Sequence, residues 1–222
     1  MRPDASVACP RAALDPLGGC YHNRPVSITL IPANEYRRER WRNGLGWTRE
    51  ILRQGEAGSN DWQWRLSIAE VEKDGPFSAF PGCDRELVLL AGEGMRLRFE
   101  DGDCVTLSPP HSRHRFAGER PLSAELIDGP THDFNVIWKR NAVDVAVHHR
   151  PLVGAMVFFP EGGVLWFVYL LSGHASFKDQ PVPMRLAPGD SALIRTFEGG
   201  ARTILDGGGE VLLVRISEPL YE

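Results

Sequence analysis

The chain has no apolar run long enough to cross a bilayer as a helix. Its most apolar stretch, Val164 to Leu171, has the length of a buried strand. Basic charge is in short supply. The 25 Lys and Arg against 29 Asp and Glu give a net charge of −4 and a pI near 6.0. That balance speaks against a nucleic-acid-binding surface. The four cysteines, Cys9, Cys20, Cys83 and Cys104, form no Cys-x-x-Cys pair and have no histidine cluster beside them. A zinc site on them is therefore not expected, and free thiols in a reducing cytoplasm are. Leu17-Gly18-Gly19-Cys20 resembles a lipoprotein cleavage box only faintly. No apolar segment precedes it, and Asp15 and Pro16 interrupt the approach, so no such leader is expected. There is no Gly-x-Ser-x-Gly element for a serine nucleophile. Gly44-Leu45-Gly46 lacks the Lys and Ser/Thr of a phosphate loop and precedes a strand pattern, so a nucleotide site is not expected either.

Helical periodicity is nearly absent; short alternating segments separated by Gly and Pro take its place. Residues 1–26 carry four prolines and no hydrophobic period, and read as an irregular extension or an early start site. Ser27 to Ile31 reads as a short strand, and Glu35 to Arg42 as a helical turn or a solvated loop. From Asp61 the alternation is clear. Trp62, Trp64, Leu66 and Ile68 fall on one face, and Gln63, Arg65, Ser67 and Ala69 on the other. Glu86 to Leu90 and Met95 to Phe99 flank Gly92-Glu93-Gly94 as a hairpin. Strands follow at Gly102 to Leu107, Leu122 to Ile127 and Asp133 to Trp138. In the second half Leu165 to Leu171, Ala175 to Lys178, Ser191 to Arg195 and Glu210 to Ile216 repeat the plan. Leu87 to Gly92 corresponds to Val168 to Gly173, and Gly102-Asp103 to Gly189-Asp190. A repeat this long suits a duplicated domain, and many short strands suit a sandwich or barrel. The boundary is placed near Asn141 to Val143.

The densest polar stretch is Trp41-Arg42-Asn43-Gly44-Leu45-Gly46-Trp47-Thr48-Arg49-Glu50-Ile51, which sets two glycines and an amide between two tryptophans and carries three charges, Arg42, Arg49 and Glu50. Buried segments rarely look like this, because each buried polar group needs a partner. This stretch resembles the HutD/Ves family, whose pattern is close to Trp-Lys-Asn-Gly-Gly-Gly, one residue, then Thr-Arg-Glu-Ile. Arg42 and Leu45 depart from it. Trp64 to Ala69, Gly75-Pro76-Phe77-Ser78, Phe80 to Arg85, Gly129-Pro130 and Asp133-Phe134-Asn135-Val136 continue the resemblance to about residue 140. The resemblance implies an all-β double cupin, with barrels at 27–141 and 142–222. It also implies a regulatory or accessory role in bacterial histidine catabolism.

Cupin enzymes commonly hold a metal with two close histidines, a nearby glutamate and a later histidine, a set suited to iron, manganese or zinc. Here Phe80-Pro81-Gly82-Cys83-Asp84-Arg85-Glu86 stands where the first cluster belongs, and Arg85 would repel a cation. Only His114 matches the later position. No metal and no other cofactor is expected. His111 and His114 read as an exposed turn at a barrel rim. His148 and His149 read as structural, because successive strand residues face opposite ways.

Same-face polar residues on barrel strands can line a lumen. Arg65 with Ser67 and Asp133 with Asn135 share faces, flanked by Asn43, Thr48, Arg49, Asp84 and Arg85. Guanidinium groups bind carboxylates bidentately, with hydroxyls and amides completing the shell. This set points to a small anionic metabolite. Urocanate, formiminoglutamate and formylglutamate are the candidates under the resemblance. The alternative for Arg65 and Arg49 is internal pairing with Glu50, Asp84 or Asp133. At the level of function the alternatives are an enzyme acting on a small polar metabolite and a protein-binding module. A cytoplasmic protein that meets neither nucleic acid nor membrane is expected, as monomer or homodimer.

Overall fold

The computed structural model describes residues 26–55, 61–178, 180 and 182–219. Cys9, Cys20 and nearly all of the N-terminal extension lie outside them. The described residues form sixteen strands and one 3-10 turn, Ala33–Glu35, with no α-helix among them. No helix there is long and apolar enough to cross a membrane.

Three antiparallel sheets result. Numbered in chain order, the large sheet runs β2 (Arg37–Arg40), β3 (Gly46–Gly55), β4 (Trp62–Val71), β11 (Thr131–Lys139), β6 (Cys83–Ala91) and β9 (Arg113–Ala117). The small sheet runs β5 (Gly75–Pro76), β10 (Leu122–Leu126), β7 (Met95–Phe99) and β8 (Cys104–Leu107). The C-terminal sheet runs β1 (Ser27–Ile31), β15 (Ser191–Arg195), β13 (Val164–Phe177), β16 (Thr203–Ser217) and β12 (Asp144–Phe158), with β14 (Met184–Leu186) paired to β13. The chain leaves the large sheet at Lys139, turns through Ala142, whose N–H donates to the Lys139 carbonyl, and enters the C-terminal sheet at Asp144.

Strand alternation decides what each face meets. In β4, Trp64, Leu66 and Ile68 join a core shared with the C-terminal sheet, together with Phe134, Val136, Trp138, Phe167, Leu212 and Val214. Their neighbours Arg65, Ser67 and Ala69 turn toward the small sheet. Leu87, Leu89, Leu97, Phe99, Phe116 and Leu122 fill most of that inner space. Each fully buried side chain of this size contributes about 1.5–3 kcal/mol, so slipping the β4 register by one residue would turn three such groups to the polar lumen and carry Arg65 and Ser67 into the apolar core.

Several elements differ from the sequence-based expectation. Glu35 to Arg42 has a strand at its centre, with only its ends in turns. Arg37–Arg40 pairs with Trp47–Glu50 as the edge strand of the large sheet. The segment expected to turn at Ser172-Gly173-His174 continues as one strand through Phe177, with a bulge between Leu170 and Ser172. Gly173 permits this, because a Cβ there would stand 1.9 Å from the Gly208 carbonyl oxygen of the facing strand. The His111–His114 stretch is half strand, since His114 pairs opposite Leu87. Trp62 leaves the face of Trp64 and packs with Phe80, Cys83 and Ile137. Ser27–Ile31, assigned from sequence to the first barrel, pairs with Ser191–Arg195 in the C-terminal sheet. The following turn is tied there too. Asp190 Oδ1 accepts from the Ala33 N–H at 2.8 Å, and the Tyr36 hydroxyl donates to the Gly189 carbonyl at 2.7 Å.

Candidate functional site

A cavity of about 520 Å³ opens between the large sheet and the start of the small one. Of the nine residues singled out from sequence, Asn43, Thr48, Arg65, Ser67, Arg85 and Asn135 line it. Trp41, Phe77, Phe80 and Ile137 supply apolar wall, and Arg40, Arg42 and Glu39 the rim.

The hairpin between β2 and β3 closes one side. Gly44 takes φ +73°, its N–H donates to the Trp41 carbonyl at 3.0 Å, and Asn43 Oδ1 accepts from the Leu45 N–H at 3.1 Å. Asn43 thus spends its oxygen on holding the turn. The Trp41 ring then lies over Gly46, where a Cβ would come within 3.2 Å of the ring and 2.4 Å of the Glu70 carbonyl oxygen. Only glycine fits there. Trp41 Nε1 donates to Thr48 Oγ1 at 2.8 Å, and its ring meets Phe77 edge-on. The tryptophan of the motif therefore fixes both Thr48 and the opposite wall.

Deeper in, Arg85 comes from β6 and is 3% exposed. Its guanidinium sits over Phe77, Phe80 and Phe116 at 5.5, 5.2 and 5.3 Å. One Nη donates to the Ser78 carbonyl at 3.1 Å, while Nε makes no hydrogen bond. Burial pulls this group down to about 10, against the attraction of Asp133, which leaves it cationic at neutral pH. Asn135 Oδ1 is likewise buried without a partner. Buried polar atoms of this kind call for a water or ligand partner. Arg65 forms an ion pair with Glu50 at 2.9 Å, and Arg53 approaches the same carboxylate at 3.6 Å. The internal-pairing alternative thus holds for Arg65, and Arg85 is a buried guanidinium that lines the cavity without a carboxylate hydrogen bond.

The other three expected residues are not cavity lining. Asp133 stands behind the wall, opposite Ala69 in register, 0% exposed, with neither oxygen hydrogen-bonded. Burial pushes its carboxyl up to about 7, with Arg85 opposing. Arg49 points to the other side of β3 and pairs with Glu70 at 2.8 Å. Asp84 pairs with Arg115 at 2.9 Å and Arg140 at 2.6 Å. Burial acts upward on it, but those two hydrogen-bonded arginines hold it below the usual carboxylate range. One-residue steps along a strand reverse the face, and this removes both Arg49 and Asp84 from the cavity. His114 stacks on Phe116, with Phe99 edge-on to it, and burial lowers it; the charges acting on it are Arg120 and Asp103. The aromatic cage around Arg85 was not singled out from sequence, although Phe77 and Phe80 flank glycine and proline turns that bring rings together.

The HutD family model matches residues 33–213. The chain belongs to the HutD family. The resemblance read from residues 41 to 140 therefore extends over most of the second half. Among HutD relatives, an uncharacterized 21.2 kDa protein in the hutC 3′ region of Pseudomonas putida is 40% identical over 50% of this chain, and the match spans 58% of that protein. Protein Ves of Cronobacter sakazakii is 35% identical over 80% of this chain and 92% of its own length. HutD from Pseudomonas fluorescens SBW25, solved in a formate condition, superposes with a TM-score of 0.73 at 26% identity, over 87% of this chain and 100% of that one. The bacterial pirin YhhW of Escherichia coli, solved with nickel(II), shares the fold at a TM-score of 0.65 and 11% identity, over 87% of this chain and 100% of its own.

Proposed function

We propose that this HutD-family chain is a double-cupin binding protein that takes a small carboxylate metabolite into its first-half cavity and serves histidine catabolism in a regulatory or accessory role. One observation carries the reading. Arg85 is caged by three phenylalanines at the cavity wall with an unpartnered Nε, beside Ser67 and Asn135. A guanidinium matches a carboxylate in charge and shape, and the surrounding rings exclude water that would screen it. The rim adds Arg40 and Arg42 against Glu39. The hutC 3′-region setting of the Pseudomonas putida relative supports a place in histidine utilisation. Urocanate, formiminoglutamate and formylglutamate remain the candidates, ahead of histidine, whose amine finds few free acceptors here.

Thermal melts test this. A true ligand at a hundred times its Kd stabilises the fold by about 2.7 kcal/mol. At roughly 2–4 °C per kcal/mol, the midpoint rises by about 5–10 °C. Arg85→Gln should remove that rise while still melting cooperatively. If none of the three acids moves the midpoint at millimolar concentration and an unrelated sugar or nucleotide does, the carboxylate reading is wrong. Catalysis on the same metabolite is the alternative, but Asp133 stands behind the wall and does not line the cavity, so it offers no acid–base group to a ligand there. Following the ligand by NMR through the same incubations separates binding from turnover.

A further inference from the structure

We propose that His111, His149 and Glu210 form a binding site for one divalent transition-metal ion that ties the two halves of the chain together. This site is separate from the carboxylate cavity and does not depend on it. His149 lies on β12 opposite Leu212 of β16, and Glu210 lies two residues further along β16 on the same face. That face carries Leu212 and Val214 into the core shared with the large sheet. His111 comes from the other side, in the connection between β8 and β9. The Nε2 atoms of both histidines stand 3.5 Å from one Glu210 carboxylate oxygen. All three ligand atoms fall within 4.8 Å of one another. A tetrahedral zinc ion with bonds near 2.0–2.1 Å sets its ligands roughly 3.3 Å apart, so two of the three separations need only a small adjustment.

The hydrogen bonding argues for a cation between these atoms. His111 Nδ1 is 3.1 Å from the Leu89 carbonyl oxygen. A carbonyl only accepts, so Nδ1 carries the proton. In the neutral ring Nε2 then presents a lone pair, and it presents it to a carboxylate oxygen that is also an acceptor. Two acceptors at this distance repel unless a proton or a metal ion stands between them. His149 Nε2 is out of contact with solvent and makes no hydrogen bond. A backbone carbonyl on the far nitrogen is also the usual way in which a protein orients a ligating histidine. His111 holds a left-handed backbone, φ +54°; such angles are uncommon outside glycine and gather at functional sites. Two imidazoles and one carboxylate suit zinc, iron(II) or nickel, and they leave a coordination position open. Glu210 is 45% exposed, so the open position faces solvent.

Sequence could not show this site. The three residues are far apart in the chain, and none occupies the position of a cupin metal ligand. Neighbouring His148 points to the opposite face of β12, as strand alternation requires.

The test uses the full chain without an affinity tag, stripped with chelator and titrated with zinc(II) by calorimetry, with elemental analysis after gel filtration. The wild type should retain one equivalent, and zinc should raise its thermal midpoint. His149→Ala and the isosteric Glu210→Gln should each weaken zinc binding by at least about tenfold, while His148→Ala binds as the wild type does. Circular dichroism of the metal-free variants shows whether they are folded. Failure of the wild type to hold one equivalent overturns the proposal, as does wild-type affinity in either His149→Ala or Glu210→Gln.

Discussion

The interiors of the two halves are built by the same strand alternation and hold different things. Between the large and small sheets the inward positions include Arg65, Ser67, Arg85, Asp133 and Asn135, and a cavity remains at one end. Inside the curled C-terminal sheet the corresponding space is closed by Leu152, Phe158, Val168, Leu170, Phe177, Leu186, Ile194, Leu205 and Leu213. The same alternation thus gives one half a lumen that needs polar partners and the other a packed core. Polar groups in a lumen cost stability unless they find partners, and the closed apolar interior of the C-terminal sheet carries no such cost.

The largest expected effect comes from cutting the packed half. Leu205 is 0% exposed among the residues that close this core. Leu205→Ala should lower the unfolding free energy by about 2–5 kcal/mol, the transfer and cavity cost of such a truncation. Urea denaturation measures it. If the loss is below about 1 kcal/mol, the C-terminal interior is not the tightly packed region described, and the contrast fails at its base. The folded variant should bind carboxylate with unchanged affinity, since no cavity residue comes from β16.

A smaller effect should come from pH, acting on the polar half. Asp133 has a folded value of about 7 against an ordinary 3.8, raised by burial. The folded state therefore holds a proton that the unfolded chain releases. Stability from this group is complete below about pH 4, declines as pH rises toward 7, and stays at its lower level above that. With relaxation and water penetration the decline should be on the order of 2 kcal/mol. Other carboxylates titrate in the same range, so the readout is the difference between wild type and Asp133→Asn across pH 4 to 8. That difference should change by about this amount and level off above pH 7. A flat difference would mean that Asp133 is ionised throughout and fully paired with Arg85. Ligand binding follows the same logic: once Asp133 ionises it competes for Arg85, and carboxylate affinity should fall as pH rises through about 7.

How far the sequence could reach follows from which signals are local. Alternation in Trp64 to Ala69 sorted core from lumen correctly, because period two is a property of a single strand. Arg65, Ser67 and Asn135 reached the cavity for that reason. Motif membership points to Arg49 and Asp84, and one-residue parity puts them on the face turned away from the lumen. Glu50, the partner of Arg65, is one of three carboxylates the sequence offers, and only the β3–β4 register, in which Glu50 stands opposite Ser67, singles it out. The pairing of Ser27–Ile31 with β15 was not legible, because a five-residue strand says nothing about which sheet it joins. Gly173 read as a turn, since a lone glycine signals a bend unless the facing glycines of β16 are known.

The smallest effect bears directly on the motif. Arg49 belongs to the Thr-Arg-Glu-Ile stretch and would be chosen for mutagenesis ahead of Arg85 on sequence grounds. The structure sends its side chain away from the cavity to Glu70, which also pairs with Arg38 at 2.6 Å. Arg49 is partly exposed, at 27%, and Glu70 keeps its second arginine when Arg49 is lost. Ion pairs of this kind contribute about 0–1 kcal/mol. Arg49→Gln should therefore cost no more than about 1 kcal/mol in urea denaturation and leave carboxylate affinity within about twofold of wild type by calorimetry. Arg85→Gln in the same assay is the contrast, because charge-assisted hydrogen bonds of about 1.5–3 kcal/mol correspond to a roughly 10- to 150-fold loss. If Arg49→Gln abolishes binding and Arg85→Gln does not, the ligand sits on the face of β3 toward the C-terminal sheet. The lumen of the first half would then be a polar interior with no ligand role.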